Sequence, residues 1–185
     1  MAVVNKPILA FCAAASGIGK TTLITQLIPL LAAQGLRISV IKHAHHSFDI
    51  DHAGKDSFLL REAGAVQMLL GSRKRWALIT ELNRIADRDT NQDIGLSELL
   101  TQIDQSLIDL ILVEGFRYEP ISKIEIYRPS INPLLLSDSD PSIIAVASDV
   151  PVKTALPVLD LNNVPMLVEF ILKWLSTINT LTQKL

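Results

Sequence analysis

The sequence predicts an α/β fold with a mainly parallel sheet, helices on both faces and an antiparallel hairpin addition. Three observations carry that expectation. A short apolar, β-prone run, Ile8 to Ala13, leads through a glycine-containing turn into a periodic apolar helix. A second apolar run, Ile38 to Lys42, begins just after Gly35, which completes a βαβ unit with a parallel, right-handed crossover. Further runs near 107–113 and 143–147 are short and continuously apolar, as strands buried on both faces are.

The elements follow in order. The first helix is expected from Thr21 to about Gln34, with Leu23, Leu27, Leu30 and Leu31 in its periodic pattern and Gly35 ending it. Pro29 removes one backbone donor there, so a kink or loosened turn is expected. Asp56-Ser57 reads as the N-cap of a short helix through Arg61-Glu62-Ala63 that Gly64 stops. Ala65 to Leu70 and Trp76 to Thr80, separated by Gly71-Ser72-Arg73-Lys74-Arg75, read as a hairpin. The polar stretch Asn83 to Asp93 reads as a mobile loop before a helix over Leu96 to Gln105, capped near Ser97. Strands are then expected over Leu107 to Val113, Lys123 to Tyr127, Ile143 to Ala147 and Val158 to Leu161, interrupted by a proline-punctuated excursion (Pro129, Pro133, Pro141). The last helix, capped by Asn162 or Asn163, aligns Leu167, Ile171, Trp174 and Ile178 on one face. The hairpin and the 123–127 strand are expected to leave open sheet edges, which pairing across a two-fold axis would cover.

Composition narrows the class. A chain of 185 residues is expected to form one domain, 1–185, with the 65–80 hairpin as an insertion-like addition. Half the residues are apolar but only 5% aromatic, so the core is built from Leu, Ile, Val and Ala. A net charge of −2 gives no case for nucleic acid or membrane binding. Cys12, the single cysteine, reads as a core thiol. With no secretory segment and no apolar run long enough to span a bilayer, a cytoplasmic location is expected.

The chemistry concentrates in Ala15-Ser16-Gly17-Ile18-Gly19-Lys20-Thr21-Thr22, the layout of a P-loop. Gly17 and Gly19 allow a tight turn whose amides point at phosphate oxygens, Lys20 supplies a mobile ammonium, and the Thr21 hydroxyl is placed to ligate Mg²⁺. The full pattern has glycine where this chain has Ala14, and a ligand-free strand-to-helix turn is the bland alternative. The apolar strand ending at Glu114-Gly115 brings a carboxylate to the sheet's carboxyl edge, where Glu114 would hold Mg²⁺ or orient water; a solvent-exposed glutamate is the alternative. Lys42-His43-Ala44-His45-His46 follows the second strand on the same edge, so Lys42, His43 and His45 read as phosphate or cofactor contacts rather than a zinc site. Asp49 or Asp51 could reach Mg²⁺ through water. Arg73-Lys74-Arg75 reads as a solvated hairpin tip.

With these segments assembled, the chain resembles the MobB family, the GTP-binding accessory proteins of molybdopterin-guanine dinucleotide biosynthesis. Beyond the P-loop, the resemblance rests on Ile41 to His46, Gly54-Lys55-Asp56-Ser57, Arg61-Glu62-Ala63-Gly64-Ala65, Arg75-Trp76-Ala77-Leu78, Asp109 to Phe116 and Ala145-Val146-Ala147-Ser148-Asp149. It implies a P-loop NTPase fold, GTP and Mg²⁺ as ligands, at most slow hydrolysis, a homodimer, and partnership with the guanylyltransferase that joins GMP to molybdopterin, with molybdopterin itself as a further candidate ligand. The family's phosphate and metal roles carry over to Gly17, Gly19, Lys20, Thr21 and Glu114. No Asn-Lys-x-Asp signature is present, and Asp149 is the candidate acceptor for the guanine donors. Two other functions use the same scaffold: a small-molecule kinase in which Arg84 and Arg88 close over the phosphates, and a metallochaperone using His43, His45 and His46.

Overall fold

The computed structural model describes residues 6–44, 48–89 and 92–182. The chain forms two compact units, one made of the residues up to His43 together with those from Leu96 onward, the other Ala44–Gly95. The 65–80 hairpin lies inside the second.

The first unit is built on six strands: β1 (Ile8–Cys12), β2 (Ile38–Lys42), β5 (Leu110–Glu114), β6 (Lys123–Tyr127), β7 (Ile143–Ser148) and β8 (Val158–Asp160). They pair in the order β2-β5-β1-β6-β7-β8, and every pairing is parallel. Such a sheet needs cover on both faces, and alternate residues of each strand supply the two cores. Leu9, Phe11, Leu110, Leu112, Ile124 and Ile126 meet Leu27 and Leu31 of helix α1 (Lys20–Ala33) and Leu167 and Ile171 of helix α4 (Val164–Thr182). On the other face Ala10, Ile41, Ile111 and Val113 meet Leu96 and Leu100 of the short helix α3 (Leu96–Leu100). Each fully buried Leu, Ile or Phe is worth about 1.5–3 kcal/mol against the unfolded chain.

Helix α1 runs unbroken past Pro29 and ends before Gly35, whose φ of 85° is the left-handed geometry that glycine supplies. Helix α4 is capped as one of the two asparagines predicts: the Asn163 Oδ1 accepts from the Met166 amide at 3.2 Å. Three expectations change. The helix expected over 96–105 stops at Leu100, because polar side chains satisfy the backbone locally. Thr101 Oγ1 donates to the Glu98 carbonyl, and the Asp104 carboxylate accepts from the Ser106 amide and hydroxyl. Leu107 then lies in a 3₁₀ turn, so β5 starts at Leu110. The 123–127 strand is no edge; it sits between β1 and β7, and the sheet ends at β2 and β8.

That interior position has a consequence for the polar residues of β6. Lys123 and Glu125 are buried, and the 128–142 excursion covers them. Lys123 Nζ donates to Asp140 Oδ2 at 2.9 Å and to Ser142 Oγ, while Glu125 accepts from the amides of Leu136 and Ser137 at 2.7 and 2.9 Å. Burial nonetheless pushes the Glu125 carboxyl up from its ordinary value. Burial also pushes the neighbouring Cys12 thiol up to about 12, which leaves it an inert core group.

In the second unit, helix α2 (Asp56–Glu62) has Lys55 at its N-cap with no side-chain cap bond. Ser57, expected to cap it, instead donates its hydroxyl to Asp51 at 2.8 Å. Strands β3 (Gln67–Gly71) and β4 (Trp76–Thr80) form the expected antiparallel hairpin, with Leu69 opposite Leu78 and Gly71 opposite Trp76. Ser72 Oγ accepts from the Lys74 and Arg75 amides at 3.3 Å, and the three basic residues at this tip are exposed.

Candidate functional site

The glycine loop follows β1 at the carboxyl edge of the sheet, as expected for a phosphate cradle. Gly17 and Gly19 have φ of 74° and 111°, a region L side chains rarely adopt. Between them Ile18 turns inward and is 1% exposed, which anchors the loop to the core. Ser16 is exposed, and Lys20 Nζ donates to the Ala15 carbonyl at 3.3 Å, bending the ammonium back over the loop. Helix α1 begins at Lys20 with no side-chain cap and no acidic residue in its first turn. Its positive end is therefore left for an anion.

One hydrogen bond ties this loop to β5. Thr21 Oγ1 donates to Glu114 Oε1 at 2.7 Å, and Lys42 Nζ, from the neighbouring β2, lies 3.2 Å from Thr21 Oγ1 and 3.3 Å from Glu114 Oε1. Lys42 and Glu114 are register partners across β2 and β5, so the sheet itself fixes their approach. Glu114 is 9% exposed. The donor set suits a hard cation. Thr21 Oγ1 and Glu114 Oε1 are the oxygens that would hold such a cation, and it would supply positive charge beside the loop. Lys42, expected at the phosphates, stands on the Thr21–Glu114 side of the loop.

The backbone beyond Glu114 is shaped for closeness. The His43 amide donates to the Glu114 carbonyl at 2.9 Å, and a Cβ on Gly115 (φ 101°) would come within 2.8 Å of His43 Cβ. Phe116 is held at φ 50°, and its ring stacks on His43 with centroids 4.6 Å apart. His43 is thus placed beside Glu114, while His45, with His46, lies outside the described residues.

On the other side of the loop, Thr22 and Gly19 border a cleft of about 190 Å³ shared with Gln26, Arg128, Leu161 and Asn162. Asp149 stands just past β7, with Oδ2 3.5 Å from Arg128 Nε. The sequence reading missed Arg128 and Asn162, because only the adjacency of β6, β7 and β8 brings these strand ends together.

Asp51 belongs to the 44–95 unit, where one of its carboxylate oxygens is hydrogen-bonded and the other, buried, makes no hydrogen bond among the described residues. Oδ1 accepts from the Ser57 hydroxyl and the His52 amide, and Oδ2 lies 3.8 Å from Arg61 Nε. Arg61, 8% exposed in its side chain, also reaches Asp49 at 2.5 Å and Glu81 at 2.6 Å. The Asp51 amide and then Arg61 hold the Asp49 carboxyl below the usual range, and Glu81 and Asp49 raise the Arg61 guanidinium. Arg84, the lid residue of the kinase alternative, instead donates Nη1 to the carbonyls of Arg61 and Ala65.

Comparison with known proteins agrees over nearly the whole chain. Residues 8–149 match the family model described as MobB, molybdopterin guanine dinucleotide synthesis protein B. A molybdopterin-guanine dinucleotide biosynthesis adapter protein of Escherichia coli is 45% identical over 177 residues, covering 94% of this chain and 95% of its own. The Haemophilus influenzae adapter protein is 42% identical over 160 residues, covering 86% and 85%. A crystal structure of molybdopterin-guanine biosynthesis protein B superimposes with a TM-score of 0.68 at 26% identity, covering 91% of this chain and 99% of that one.

Proposed function

We propose, from the premise that this chain belongs to the MobB family, that its adapter function runs through a GTP site on residues 15–22. The protein is an adapter of molybdopterin guanine dinucleotide biosynthesis. The observation that carries the site is the Thr21–Glu114 hydrogen bond, which joins the glycine loop to a carboxylate at the strand edge. In this reading the loop amides and the α1 N-terminus cradle the phosphates, and Lys20 leaves the Ala15 carbonyl to reach the outer ones. Thr21 and Glu114 hold Mg²⁺, which on binding neutralises phosphate charge. Lys42 and His43 border the metal side, and Asp149 belongs to the base end. Asp51 is left to the Arg61 cluster.

Binding rather than turnover serves an adapter, so hydrolysis is slow. The partner is the guanylyltransferase that joins GMP to molybdopterin, and molybdopterin is a further candidate ligand. A homodimer is supported by one face of the hairpin, where Leu69, Trp76 and Leu78 are 64%, 69% and 41% exposed. Among the described residues no helix is long and apolar enough to cross a membrane, and the cytoplasm is the proposed location.

Calorimetry with GTP and Mg²⁺ tests the site. Wild type should bind, and at a hundredfold excess over Kd the ligand should stabilise the fold by about 2.7 kcal/mol. Lys20→Ala should abolish that gain without altering the ligand-free melting temperature. Equal stabilisation of the variant would remove residues 15–22 from the site. Added protein should also raise the yield of guanine dinucleotide cofactor from a purified guanylyltransferase.

A further inference from the structure

Three adjacent strands end beyond the glycine loop, each followed closely by a polar side chain: Arg128 after β6, Asp149 after β7 and Asn162 after β8. Parallel pairing puts all three on the carboxyl edge that also carries Lys20. Neighbouring strands lie about 5 Å apart, so these positions step away from β1 by about 5, 10 and 15 Å. The cleft beside Gly19 and Thr22 opens in that direction and is bounded by Arg128 and Asn162. A nucleotide with its phosphates on residues 15–22 therefore extends its base toward Arg128.

Arg128 is poised but not saturated. Its Nε is buried, makes no hydrogen bond among the described residues, and stands 3.5 Å from Asp149 Oδ2. The Asp149 charge thus stands beside the guanidinium at Nε, and among the described residues the terminal nitrogens make no hydrogen bond, which leaves them as donors for a ligand. Guanine offers two adjacent acceptors, O6 and N7, which match the arginine fork; adenine sets a 6-amino donor against it.

We propose that Arg128, oriented by Asp149, reads the O6/N7 edge of the purine, so that guanine is selected through its 6-oxo group. Asp149 is then a positioning residue, not the direct acceptor for the N1–H and 2-amino groups. This inference rests on the phosphate assignment of residues 15–22.

The test is the affinity of wild type, Arg128→Gln and Asp149→Asn for GDP, IDP and ADP with Mg²⁺, with melting curves to confirm folding. Wild type should bind GDP and IDP alike, because inosine lacks only the 2-amino group, and should bind ADP about 10- to 100-fold more weakly. Arg128→Gln should bring GDP and IDP down to the ADP level while ADP binding holds or improves. Asp149→Asn should lose part of the same preference and still not separate GDP from IDP. Should Arg128→Gln fail to fold, Arg128→Lys retains the charge, lacks the fork, and should lose the preference too. A tenfold or larger gap between GDP and IDP in wild type would assign the base to Asp149 directly and overturn the proposal. Equal weakening of GDP and ADP in the arginine variant would overturn it as well, marking a phosphate contact. Wild type binding none of the three would defeat the phosphate assignment itself, a result distinct from binding without Arg128-dependent selectivity.

Discussion

Strand β5 is buried at all five positions, whereas β3 exposes four of its five, and the two units around them are stabilised in correspondingly different ways. In the sheet unit, apolar packing on both faces carries the fold. Polar and strained groups can then gather at its carboxyl edge: Lys42 against Glu114, Gly115 pressed on His43, Phe116 at positive φ. The 44–95 unit has a two-stranded sheet, a form marginal by itself. It centres on Arg61 bridging Asp49, Asp51 and Glu81, and keeps Phe48, Leu59, Leu60, Leu69 and Trp76 outside. The proposed site thus sits where packing is in surplus, and the exposed apolar surface sits where the packing is thin.

Core truncation is the largest expected break in that comparison. Leu27→Ala, at a fully buried position of α1, should cost about 2–5 kcal/mol in urea unfolding. Leu69→Ala in the hairpin should stay within about 0.5 kcal/mol for the monomer. Similar losses at both sites would erase the distinction. Arg61→Leu should act locally, since it leaves three carboxylates facing one another. Hydrogen exchange should quicken across 44–95 while β1 and β5 keep their protection; uniform quickening would mean that the ion cluster supports the sheet as well. If the proposed homodimer forms through the hairpin, Trp76→Lys should shift sedimentation toward the monomer with little change in the unfolding of either unit, and an unchanged sedimentation coefficient would remove the hairpin from that proposal.

The sheet unit was the more legible in sequence, for a physical reason. Strands covered on both faces write continuous apolar runs, so β1, β5 and β7 announce themselves, and Gly17, Gly19 and Gly35 mark turns that need positive φ. Glu114 is found because an apolar strand has to end somewhere polar. The open edge expected of the 123–127 strand fails because β6 lies inside the sheet, where Lys123 and Glu125 are covered by a later segment that supplies their partners. The end of α3 is hidden for a similar reason, since the Thr101 and Asp104 side-chain bonds outweigh apolar periodicity. Arg128 leaves no local signal at all; its meaning depends on β6 lying beside β7, which only topology provides.

The smallest expected effect concerns the far end of the sheet unit. Arg37 donates Nε and Nη2 to Asp109 at 2.9 and 2.8 Å, and its amide donates to the same carboxylate at 3.0 Å. The Arg37 side chain, then its amide, hold the Asp109 carboxyl well below the usual range. A depressed folded-state pKa contributes stability that is fully present above the unfolded value of about 3.9 and is lost as pH falls toward the folded one. Asp109→Asn should therefore lose that contribution above about pH 4, a small loss because an exposed pair is screened, and converge on wild type as pH falls, which leaves its stability-versus-pH curve flatter in acid. Part of the acid slope should survive, because Asp49 and Asp104 are also held low, Asp49 by the Asp51 amide and Arg61, Asp104 by Ser106. Urea midpoints from pH 2 to 7 measure this directly. If the variant keeps the wild-type acid slope, Asp109 takes up no extra proton on unfolding, and the clamp between β2 and β5 contributes geometry alone.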